Sequence, residues 1–164
     1  MQPSALQRIR RNHAIEHATM HMLSRAGVAT RLAARSDWRG LTFYGDIDAE
    51  TLRRAITGGF VALETGHRGL AVHPRCGSMV SIPLMLGLLS AWLAQSGLRR
   101  GASLARGLFT LAGIASAALL ARPLGEWVQA HVLTSGKVGD ARLISIRPSR
   151  RGPLTLHRVT IAYD

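Results

Sequence analysis

The feature that most constrains this chain is a run of 19 residues without a single charge, "MVSIPLMLGLLSAWLAQSG" at 79–97. As a helix it rises roughly 28 Å, close to the ~30 Å hydrocarbon core of a bilayer. A second apolar run, "GLFTLAGIASAALLA" at 107–121, is 15 residues long and reaches across only if Arg106 and Arg122 snorkel to the two interfaces. Neither run carries the polar stripe at 3.6-residue spacing that a surface helix needs. With the connector "LRRGASLAR" between them, they predict a two-helix transmembrane hairpin over residues 78–122. The competing arrangement is a pair of central helices in a soluble bundle. Small residues four apart, Gly87 with Ala91 and Gly113 with Ala117, suit close helix packing in either setting.

The hairpin interrupts a chain whose flanks read as one small α+β domain. In residues 1–77, Leu6, Ile9, His13, Ile15 and Met22 recur with helical spacing over 4–25, with Ser4 as N-cap and Gly27 just past the end. "GLTFYGDI" at 40–47 predicts a strand, Asp48 caps a helix from 49 to about 65 with Gly66 after it, and "GLAVHP" at 69–74 predicts another short strand. In residues 123–164, "RPLGEWVQAHVL" (from 122) reads as a helix end leaving through the interface. "ARLISIRP" and "LTLHRVTIAYD" around "SRRG" then read as a β-hairpin completing the domain.

The formal net charge is +12, and it is almost all arginine, since Lys137 is the only lysine. Guanidinium groups pair bidentately with phosphate and carboxylate, so the expected partners are the lipid bilayer, its anionic headgroups and an acidic protein; a homo-oligomer stays open. The arginines are scattered and Phe43–Tyr44 is the sole adjacent aromatic pair, which argues against nucleic acid. The opening "MQPSALQRIRRNH" lacks the apolar stretch of a secretory signal, so the first 75 residues are expected to stay on the side of synthesis, with both termini cytoplasmic if both runs span. Arginine counts do not fix that orientation. Arg99, Arg100 and Arg106 in the connector nearly balance Arg68, Arg75, Arg122 and Lys137 on the flanks.

Chemistry concentrates in "RNHAIEHATMHML" at 11–23, where His13, His17 and His21 are four apart and form a ridge on a helix. His13-Ala-Ile-Glu16-His17 has the H-x-x-E-H pattern of inverted zinc peptidases, in which two histidines hold zinc and the glutamate activates water. A zinc site needs at least one more protein ligand. "HPRCG" offers His73 and Cys76, the latter being the one cysteine and so excluded from any internal disulfide. His13, His17, His73 and Cys76 would close a tetrahedral ion; with one of the last pair absent, water takes the open position and Glu16 becomes a candidate base. Against this stands a bland reading of a solvated stripe, a glutamate paired with arginine and a buried thiol. His21 is assigned to support or solvent, and His67, His131 and His157 to structure. "YGDIDAE" lacks the glycine and terminal glutamate of a calcium loop, and no phosphate loop, dinucleotide fingerprint or Ser-His-Asp set appears.

The combination of "RNHAIEHATMHML", "AARSDWRGLTFYGDI" and "ALETGHRGLAVHPRCGSM" with a hydrophobic hairpin resembles a bacterial membrane-protein family catalogued as domain of unknown function 6391, over about residues 8–120. The resemblance implies a membrane location, expected to be a bacterial inner membrane, and links His13, Glu16, His17, His73 and Cys76 as matching positions. It implies no activity. Three functions remain open on sequence: a zinc-binding membrane protein, a membrane-bound metal-dependent hydrolase with Glu16 as base, and a non-catalytic accessory or scaffold subunit.

Overall fold

The computed structural model describes residues 2–28, 32–97 and 103–164. Arg99 and Arg100 of the connector lie outside the described residues. The chain divides into two compact units: Met1–His73 with Gln129–Asp164, and Pro74–Val128.

In the first unit, helix α1 (Ala5–Arg25) begins with a complete capping box. The Ser4 hydroxyl accepts from the Gln7 amide at 3.3 Å and the Gln7 side chain accepts from the Ser4 amide at 2.8 Å, which satisfies two donors the first turn would otherwise leave open. Gly27 follows the helix at φ +73°, the left-handed conformation that ends helices with least strain in glycine. Helix α2 (Ala49–Glu64) starts where the Asp48 carboxylate accepts from Thr51 N at 2.7 Å. Its "TGGF" segment has a packing purpose: a Cβ on Gly59 would stand 3.2 Å from both the Ala18 Cβ and the Thr19 amide nitrogen, so glycine lets α2 lie hard against α1.

The helices are joined by an antiparallel sheet of β1 (Ala33–Asp37), β2 (Gly40–Tyr44), β3 (Ala141–Arg151) and β4 (Leu154–Tyr163), in the order β1-β2-β4-β3. Along β4, His157, Val159, Ile161 and Tyr163 are buried and alternate with partly exposed neighbours, the period of a strand with one covered face. With Leu41 and Phe43 of β2, Val159, Ile161 and Tyr163 meet Ile15, Leu23, Leu52 and Ile56 of the helices in one core. Pro148 sits in β3, an edge strand, where a missing N–H costs no inner ladder bond.

Two local expectations change. Residues 69–74 form no strand: Arg68–Ala71 is a turn of 3₁₀ helix, and the Ala71 and Val72 carbonyls accept from histidines of α1 instead of a sheet neighbour. Strand β1 appears where "AARSD" gave no strand signal, because it pairs along its whole length with β2.

The second unit contains α3 (Ser78–Gly97) and α4 (Ser103–Val128), packed against each other. The run from 122 continues α4 as far as Val128. Both helices are long and apolar enough to cross a membrane. Leu84, Leu88, Trp92, Leu108 and Leu119 are all more than half exposed, the opposite of what central helices of a soluble bundle show. Gly113 lies where a Cβ would come within 2.5 Å of the Ser90 Cβ, and Ala117 is buried, so this pair makes the close approach expected of it. Gly87 has nothing within 4 Å and takes no part.

Candidate metal centre

Helix α1 turns its polar ridge inward. Glu16 is 8% exposed and His17 only 2%, among Ala14, Ile15 and Ala18, which are wholly buried. The cost of burying such groups demands partners, and the 3₁₀ turn supplies one. The Ala71 carbonyl lies 2.6 Å from His17 Nδ1. A carbonyl only accepts, so Nδ1 carries the proton, and the neutral ring then has its lone pair on Nε2. That Nε2 is buried and has no hydrogen-bond partner among the described residues. A buried imidazole held by a backbone carbonyl with a bare nitrogen on its other side is the arrangement that metal-ligating histidines adopt.

His13 is oriented the same way. Its Nδ1 donates to the Leu133 carbonyl at 3.2 Å, in the π-helical turn Gln129–Leu133 that follows α4 in the chain. The His13 and His17 rings stand edge to face, 4.3 Å between centroids, and a donor atom of each lies within 4.8 Å of the other. His21 is reversed: its Nε2 donates to the Val72 carbonyl at 2.8 Å. The structure brings His73 beside both, its ring 5.7 Å from that of His17 and 4.9 Å from that of His21. Cys76 follows three residues later at the head of the second unit, where the Ser78 hydroxyl donates to its sulfur at 3.3 Å, a contact suited to a thiolate.

His21, assigned on sequence to support or solvent, packs against His73 and bonds to Val72, and so takes the supporting place. One neighbour of this cluster escaped the sequence reading. Gln129 is completely buried and its Oε1 accepts from the His73 amide at 2.9 Å. Nothing in "EWVQAHVL" marks it.

Just beyond the ridge, the Asn12 side chain ties the helix to the sheet, donating to the Asp37 carbonyl at 2.7 Å and accepting from the Tyr163 hydroxyl at 2.6 Å. Burial pushes the Tyr163 phenol well above its ordinary value, prevailing over the Arg11 and Arg8 guanidinium groups that face its ring at 5.6 and 5.8 Å. It therefore stays a donor at neutral and moderately alkaline pH.

The family described as "Domain of unknown function (DUF6391)" matches residues 8–146. An uncharacterised protein of the cyanobacterium Picosynechococcus is 34% identical over 140 residues, which is 77% of this chain. The chain spans 66% of that relative's own length. No solved structure matches.

Proposed function

This chain belongs to the DUF6391 family, and we propose that it is a membrane-anchored metalloprotein that binds a transition metal, zinc by donor chemistry, at the histidine ridge of α1. His13 and His17 are the proposed ligands from α1, with His73 packed against His17 as a further candidate and Cys76 of "HPRCG" as the thiolate expected from sequence. The observation that carries the reading is His17: buried, proton fixed on Nδ1 by Ala71, and Nε2 without a partner among the described residues. Imidazole and thiolate donors suit zinc better than magnesium or calcium. Three residues of chain limit the Cys76 Cα to within ~10 Å of that of His73. The two long apolar helices, whose side chains are largely uncovered, support the membrane anchor.

Metal content of the purified protein, compared with that of a His13→Ala/His17→Ala variant, tests this. Loss of a stoichiometric metal in the variant is expected; equal content in both refutes it.

A second reading, metal-dependent hydrolysis with Glu16 as general base, is favoured by one observation. Glu16 is a buried residue, 8% exposed, that directly precedes the proposed ligand His17 in the H-x-x-E-H order, the place of the general base in inverted zinc peptidases. Glu16→Gln that retains metal and loses turnover of a peptide or ester substrate supports it; retained turnover removes Glu16 from the chemistry.

A further inference from the structure

We infer that Gln129 belongs to the same site, as the hydrogen-bond donor for an oxygen or anionic ligand that the metal carries in addition to its protein ligands. The inference rests on the metal reading above. Gln129 is fully buried, and its amide orientation is fixed: Oε1 faces the His73 N–H at 2.9 Å, so Nε2 must face the other way. Its backbone is fixed as well, since the Gln129 carbonyl accepts from both the Thr134 amide at 2.9 Å and the Thr134 hydroxyl at 2.8 Å. Nε2 is left as a buried donor with no partner among the described residues.

The unpaired acceptor of the site, His17 Nε2, and this unpaired donor are anchored to one short segment, through Ala71 O and His73 N respectively. The π-helical turn that begins at Gln129 ends at Leu133, whose carbonyl orients His13. A bare cation satisfies the histidine lone pair and leaves the amide donor wanting. A cation carrying water, hydroxide or another anion satisfies both. Gln129 is then a positioning residue for the exogenous ligand, and the metal keeps a coordination position open to it.

The full chain, purified in detergent and loaded with cobalt(II), is titrated with azide and followed by the visible absorption of the ion. Azide is expected to change the wild-type spectrum saturably. Gln129→Leu should take up cobalt with the same stoichiometry and bind azide roughly ten-fold more weakly or worse, the loss of one hydrogen bond to a charged group. Azide affinity equal in Gln129→Leu and wild type overturns the inference and leaves the metal reading standing; so does a wild-type cobalt spectrum that azide does not alter. Failure of the wild type to bind cobalt or zinc overturns both. Should Gln129→Leu lose its native circular dichroism, Gln129→Glu decides: it keeps an acceptor for the His73 amide while removing the donor, and unchanged azide affinity there refutes the role.

Discussion

Replacing His17 with alanine separates what this side chain does for the fold from what it does for a metal. Two costs add in the metal-free protein. The Ala71 carbonyl loses a buried donor at 2.6 Å, worth ~1–3 kcal/mol, and the vacated imidazole volume adds a cavity cost of similar size. The metal contributes separately, because an ion that binds only the folded chain stabilises it by about 4 kcal/mol at a thousand-fold excess over Kd. At ~2–4 °C per kcal/mol for a chain of this size, zinc should raise the wild-type Tm by roughly 8–16 °C. His17→Ala should melt lower without metal and gain less than ~3 °C from zinc. The assay is thermal unfolding in detergent after chelator treatment, with and without zinc. His157→Ala is the control: that ring is also buried, on β4, with neither nitrogen paired among the described residues. Whatever its own stability, it should keep the full zinc shift. A zinc shift of equal size in His17→Ala and wild type refutes the reasoning, since His17 would then be a buried core histidine and no ligand.

Tyr163→Phe keeps the ring and deletes only the hydroxyl that Asn12 accepts at 2.6 Å, so chemical denaturation should show a loss of about 1–2 kcal/mol with metal stoichiometry unchanged. Asp37 is held below its ordinary 3.8, chiefly by hydrogen bonds from the Arg158 side chain at 2.7 and 2.8 Å and despite partial desolvation. A depressed folded-state value means that its stabilisation is whole above 3.8 and disappears as pH falls through the lower folded value. Asp37→Asn should therefore flatten the acid limb of stability below pH 4 or so, while costing under ~1 kcal/mol at neutral pH because the pair is partly exposed. In the helical hairpin, Gly113→Val should lower thermal stability in micelles by forcing α4 away from Ser90, while Gly87→Val, with open space around it, should not. Equal effects at the two glycines would show that the hairpin packs on another face.

What could be read from the sequence was whatever local chemistry decides alone. Ser4 and Asp48 capped the helices they were expected to cap, because a side-chain oxygen three residues before an amide needs no tertiary help. The two apolar runs were legible for the same reason: nineteen uncharged residues leave few alternatives to a long helix. The failures share a cause in partners distant along the chain. "AARSD" becomes β1 only because β2 lies beside it. "GLAVHP" looks extended, yet its carbonyls at Ala71 and Val72 are claimed by His17 and His21 more than fifty residues earlier, and the backbone turns to present them.

That exchange of partners also decides which histidines can act together. Spacing places His13, His17 and His21 on one ridge and treats them as equivalent. The carbonyls facing them do not: Leu133 and Ala71 take the Nδ1 protons of His13 and His17, whereas Val72 takes the Nε2 proton of His21. In the neutral ring the outer nitrogen thus carries the lone pair in the first two and the proton in the third. The nitrogen left to His21 is Nδ1, the one nearer its own backbone, and a ligand presented that way does not extend the His13/His17 pair. Replacing the ring by an amide that keeps only one of its two nitrogen positions is therefore a sharper perturbation than truncation to alanine. His17→Asn can mimic only the Nδ1 contact to Ala71, and His17→Gln reaches about as far as Nε2. On the metal reading both should lower zinc affinity, but His17→Asn should retain most of the metal-free stability because it alone preserves the Ala71 hydrogen bond. Metal-free unfolding and zinc titration measured on the same two variants check this, and an Asn variant that loses fold and metal together would mean that the Ala71 contact and the ligand role cannot be separated in this site.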